Sequence, residues 1–128
     1  MHRIVYVSTS NDLSEDDLAK LLAEATVHNA RDNVTGFLLY NGNNFLQLIE
    51  GEADRIGQLM ARIEVDERHS GVVRLIDEEA ADRCAPGWAM QQIAMNASPD
   101  LRLDGLLTVL PKLDPATAKL VRNFVMLN

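Results

Sequence analysis

Gln47 is the side chain whose position most needs a chemical reason. It stands between Leu46 and Leu48 in a run of strand-forming residues. An amide among aliphatics must find hydrogen-bond partners or cost about 1–3 kcal/mol. A ligand or an ordered polar partner would supply them. The other residues of chemical interest read more blandly one at a time. Tyr6 reads as a half-buried strand tyrosine, Asn29 as a helix C-terminal residue, and Arg68 and His69 as charges complementing a helix dipole. His69 has no second ligand nearby in sequence, so no metal site is expected. Trp88 and Met90 are good core fillers whose alternation on a strand lets both face one side. Cys84 precedes a turn and reads as an inert thiol. No Gly-rich phosphate loop, metal-ligand cluster or Ser-His-Asp order is present.

The elements that must position these residues follow from pattern. Residues 34–40 and 45–49 are aliphatic, β-branched and aromatic runs separated by Asn41-Gly42-Asn43-Asn44, the signature of a β-hairpin with Gln47 on its second strand. Residues 3–8 read as a first strand containing Tyr6. Ser14, with Asp17 three residues on, reads as the N-cap of a helix over 15–28, its apolar positions Leu18, Leu21, Leu22 and Ala25 at helical spacing. A link at 30–33 leads into the hairpin. Ala53, Ile56, Met60 and Ile63 form the apolar stripe of a second helix over 53–66, with Asp54, Arg55, Arg62 and Glu64 on its surface. Residues 72–76 read as a fourth strand and 88–94, after Pro86-Gly87, as a fifth. Ser98-Pro99-Asp100 and Asp114-Pro115 each open a helical pattern, over 99–110 and 115–127. The order βαββαββ predicts an α+β, ferredoxin-like two-layer sandwich with a C-terminal helical pair.

Composition bounds the partners. The 128 residues, 47% of them hydrophobic, suit one domain. A net charge of −7 repels phosphate backbones and anionic lipid, so neither nucleic acid nor membrane is an expected partner. With one cysteine, no signal-peptide core and no apolar run near the ~20 residues of a span, the expected location is cytoplasmic.

Taken together, several blocks of residues resemble the BLUF family, the blue-light sensors that use FAD. These are Ile4-Val5-Tyr6-Val7-Ser8, His28-Asn29-Ala30-Arg31, Val34-Thr35-Gly36-Phe37-Leu38-Leu39-Tyr40, Phe45-Leu46-Gln47-Leu48-Ile49-Glu50-Gly51-Glu52, Asp66-Glu67-Arg68-His69 and Trp88-Ala89-Met90. The likeness covers about residues 1–93. It departs at Ala85, where family members usually carry an aromatic, and at Ile49, where Leu is commoner.

The resemblance implies non-covalent FAD between the two helices, with Tyr6, Gln47 and Asn29 in a hydrogen-bond network at the flavin ring edge. It implies light-driven electron and proton transfer from Tyr6, a rearranged Gln47, and a response in the fifth strand beside Trp88 and Met90. Ser8 and His28 are further cofactor-binding positions, and Arg31, Arg68 and His69 are the candidate cations for ribityl and phosphate groups, with Asp66 accepting from hydroxyls. A non-enzymatic sensor domain over 1–95 is expected to signal through a helical extension over 96–128 to a downstream protein, as a homo-oligomer. Two rivals share the fold. One is an acylphosphatase-like enzyme using Arg31 and Asn29, weakened by the missing anion cradle; the other is a colourless interaction module.

Overall fold

Alternation along the central strands sorts the core into two clusters. Strand residues point to opposite sheet faces in turn. Ile4, Tyr6, Leu38, Phe45 and Ile49 therefore share one cluster, while Val5, Phe37, Leu39, Leu46 and Leu48 share the other. The computed structural model describes residues 1–93 and 104–127. Its elements are β1 (His2–Ser10), α1 (Glu15–Arg31), β2 (Thr35–Tyr40), β3 (Asn44–Gly51), α2 (Ala53–Glu64), β4 (His69–Glu79), β5 (Gln91–Ile93) and α3 (Pro115–Leu127).

The strands form one sheet in the order β4-β1-β3-β2-β5. The first four are mutually antiparallel neighbours and β5 adds parallel to β2, so the sheet is mixed. Leu18, Leu21, Leu22 and Ala25 of α1 and Ile56, Met60 and Ile63 of α2 pack on the first face. Ala118, Val121 and Val125 of α3 join the cluster on the second. The α+β, ferredoxin-like sandwich expected from the pattern is the fold observed.

Several boundaries differ from expectation. β1 and β4 are longer than the apolar runs 3–8 and 72–76, because ladder pairing between the two strands carries them past those runs, across two register shifts. α1 runs to Arg31 rather than ending at residue 28: Asp32 caps it through its N–H to His28 O, and Asn33 then turns the chain at φ 55°. α2 ends at Glu64, two residues early. The fifth strand begins at Gln91, not residue 88, because Gly87 at φ 84° and a Trp88 N–H to Ala85 O bond hold the preceding residues in a turn. Of the helix expected over 99–110, residues 99–103 lie outside the described part, as do Ala94 and the 95/96 boundary. Residues 105–109 are turns leading to a 3-10 turn at Leu110–Lys112, where Gly105 and Pro111 disfavour an α-helix.

Candidate cofactor site

Four strands and two helices line a cavity of about 250 Å³ on the first sheet face. Its walls are apolar: Leu21 and Ala25 of α1, Leu38 and Phe45 of the hairpin, Leu59 and Ile63 of α2. Polar groups stand at its edges: Tyr6, His28, Asn29, Gln47, Arg62, Asp66, Arg68 and His69. The register puts Tyr6 directly opposite Gln47, and Gln47 opposite Leu38. Asn29 reaches the same cavity because the extra turn of α1 carries it there, leaving it only 2% exposed.

Gln47 finds the partners its burial demands. Tyr6 donates its hydroxyl hydrogen to Gln47 Oε1, and Gln47 Nε2 meets Met90 Sδ at 3.2 Å. A thioether is a weak acceptor, so the amide N–H is poorly matched. Burial, with Asp66 adding a smaller push, raises the Tyr6 phenol above its ordinary pKa. Asn29 Nδ2 donates to Ala89 O at 2.8 Å. Tyr6, Gln47, Asn29 and the 89–90 backbone thus meet at one end of the cavity.

Another part of the rim is ionic. Arg68 donates to Asp66 from Nε, at 3.0 and 3.1 Å, and to Glu24 at 3.0 Å. Hydrogen bonding from Arg68 holds the Asp66 carboxyl below the usual carboxylate range. His69 Nε2 lies 2.6 Å from Ile63 O, a pure acceptor, so Nε2 carries the hydrogen; Nδ1 lies 2.8 Å from Ser8 Oγ. Beyond α1, Asp32 faces three arginines, Arg55 at 3.5 Å, Arg31 at 3.8 Å and Arg62, which borders the cavity, at 3.9 Å.

The family model described as sensors of blue-light using FAD, BLUF, matches residues 1–91. The chain belongs to the BLUF family. Over 100 residues this BLUF chain is 31% identical to the photoactivated adenylate cyclase subunit beta of Euglena gracilis, covering 76% of the chain and 12% of that relative. It is 33% identical over 66 residues to the blue light- and temperature-regulated antirepressor BluF of Escherichia coli strain K12, covering 52% and 16%. A solved structure of Klebsiella pneumoniae BlrP1 with FMN and cyclic diGMP superimposes with a TM-score of 0.87 at 29% identity, over 97% of this chain and 34% of that one. The BLUF chain therefore spans a small part of the curated relatives it matches.

A flavin suits the BLUF cavity on its own chemistry. Apolar walls suit a fused aromatic ring, and the amides of Gln47 and Asn29 could offer donors and acceptors to a ring edge rich in carbonyl and N–H groups. Seven of the residues expected at the site line the cavity: Tyr6, His28, Asn29, Gln47, Asp66, Arg68 and His69. Ser8 stands behind His69, and Arg31 lies outside the wall, donating to His28 Nδ1 at 2.8 Å. Arg68 is already neutralised by two carboxylates. The expectation that Trp88 and Met90 share a side fails. Residues 88–90 are not a strand, so Met90 joins the cavity-side cluster while Trp88 packs edge-on against Phe37, centroids 6.5 Å apart, in the opposite cluster. Arg62, read as surface, is exposed and also borders the cavity.

Proposed function

We propose that this chain, a member of the family of blue-light sensors using FAD, binds its flavin as FAD, that Tyr6 and Gln47 carry the photochemistry, and that it acts as a non-catalytic module signalling by contact. The observation that supports this best is the paired geometry of Gln47: its oxygen accepts from the buried Tyr6 hydroxyl and its nitrogen addresses Met90.

Bound flavin supplies blue-light absorption and an excited-state electron acceptor. Tyr6 is placed to lose an electron, and its hydroxyl proton has an acceptor at Gln47 Oε1. An amide carries donor and acceptor on one group, so turning it over reverses what it offers each neighbour. Gln47 Nε2 then leaves Met90 Sδ, and the 89–90 backbone, still tied to Asn29, feels the change before β5 does. Asn29 and His28 would orient the ring edge, Phe45, Leu38, Leu59 and Ile63 would exclude water, and Arg62, Asp66 and the His69 to Ser8 pair would hold the ribityl chain. Arg31 and Arg55, which meet Asp32 beside Arg62, would serve the phosphates.

The reading takes residues 1–95 as the sensor and 96–128 as an extension that passes the signal to a protein partner or effector, as a cytoplasmic homo-oligomer. The cyclase and antirepressor relatives support coupling to an effector. The deciding experiment is an absorption spectrum in the dark and just after blue light, with the flavin released and identified by chromatography. FAD release and a reversible red shift that Tyr6→Phe and Gln47→Leu abolish are expected. A shift that persists in Gln47→Leu would sink the Gln47 role, and recovery of FMN alone would sink the FAD assignment.

A further inference from the structure

Residues 80–90 join β4 to β5 without strand or helix, yet this strap is tied down at both ends. The outer tie is Glu50, 0% exposed and on the sheet face away from the cavity. Its Oε1 accepts from Arg3 Nε and a terminal Arg3 nitrogen, both at 3.2 Å, and from the Cys84 N–H at 3.0 Å. Its Oε2 accepts from the Ala85 N–H at 2.9 Å and the Thr35 hydroxyl at 3.0 Å. Arg3 also donates to Asp82 O at 2.7 Å. Arg83 donates to Thr35 Oγ1 at 2.8 Å, Glu50 O at 3.1 Å and Asn33 O at 2.7 Å. Four consecutive residues, 82–85, are therefore fixed around one carboxylate.

The inner tie is on the cavity side. The Gly36 N–H donates to Trp88 O at 2.8 Å, Asn29 Nδ2 to Ala89 O at 2.8 Å, and Gln47 Nε2 reaches Met90 Sδ. Glu50 and Gln47 lie three residues apart on β3, facing opposite sides of the sheet. Nothing in light absorption or proton transfer uses a buried carboxylate on the far side. A buried ion pair is weak evidence for stability, since a well-packed apolar set of the same shape often does as well. What Glu50 does provide is a defined position for the strap.

We propose that Glu50 is the anchor of the strap: a positioning residue that holds 82–85 still, so that Ala89 and Met90 sit at Asn29 and Gln47 and a change at Gln47 moves β5 rather than being taken up upstream. The positioning half needs no cofactor; the transmission half rests on the photoreceptor reading above.

The test compares full-length wild type with Glu50→Gln by residue-resolved amide exchange, first without flavin. Cys84 and Ala85 report the outer tie, and Gly36 the inner one. Exchange at all three is expected to rise about tenfold or more while the β1 to β3 ladder is unchanged. Faster exchange at Cys84 and Ala85 with Gly36 unmoved would overturn the proposal, because the two ends would then be independent. Arg83→Met, which loosens the same residues without leaving a buried charge unpaired, is expected to give the same pattern and decides the matter if Glu50→Gln fails to fold. In flavin-loaded protein the dark absorption maximum should match wild type while thermal recovery of the lit state changes several-fold; an unchanged recovery rate would overturn the transmission half. Wild type that shows no red shift would count against the photoreceptor reading alone, since the flavin-free exchange still decides the anchor.

Discussion

Tyr6 is 3% exposed, and its phenol is kept protonated by burial and by the negative charge of Asp66. A group whose folded pKa is raised contributes stability below its unfolded pKa and loses it as pH rises through the folded value. Stability should therefore fall above about pH 10, by up to ~1.4 kcal/mol per pH unit, as the unfolded phenol ionises and the folded one does not. Tyr6→Phe should flatten that limb in denaturant titrations; an equally steep limb in the variant would assign the loss to other groups. Glu50 behaves oppositely. Burial pushes its carboxyl up, but the Cys84 and Ala85 N–H groups outweigh it and hold it below the usual range. Its contribution is present above about pH 4.5 and lost as pH falls through the lower, folded value, so Glu50→Gln should remove part of the acid sensitivity of the wild type. At this scale Gln47 was legible because an amide between two leucines is hard to place without partners. Glu50 was not, since a Glu before Gly51 at a strand end reads as an ordinary exposed charge. Trp88 was misplaced because strand alternation cannot be applied to residues held in a turn.

Elements were legible where local chemistry and tertiary packing agree. Ser14 and Asp17 form a reciprocal capping box at α1, with Ser14 Oγ accepting from the Asp17 N–H at 3.1 Å and the Ser14 N–H donating back at 3.2 Å. Ser14→Ala should cost about 1 kcal/mol by thermal or denaturant unfolding, and leave the cavity intact. Gly36 is a harder constraint. A Cβ there would lie 1.9 Å from Leu48 O, inside the β2 to β3 ladder. Gly36→Ala should destabilise by roughly 2–4 kcal/mol; a variant that melts with the wild type would show that the strands can separate at no cost. The C-terminus of α1 was misjudged because the stop is conformational: Asn33 in the left-handed region ends the helix, and no apolar pattern records that. β4 was underestimated because most of its residues are exposed and its ladder to β1 is what extends it.

Over the whole molecule, the order of elements and the two-layer arrangement were readable, because two amphipathic helices and alternating strands admit few economical packings. The position of β5 beside β2 was not, because three residues carry that pairing. Among the described residues no helix is long and apolar enough to cross a membrane. Charge is distributed unevenly. The chain carries a net −7, yet one carboxylate after α1, Asp32, is met by Arg31, Arg55 and by Arg62, which borders the cavity. A local excess of positive charge on an anionic body steers an anionic ligand, such as the FAD proposed above, toward it. Its capture should then be a matter of rate, slowing several-fold between about 0.05 and 0.5 M salt as the field is screened. Stopped-flow binding of FAD should show that slope, uncharged riboflavin should not, and Arg55→Gln should make the two ligands behave alike.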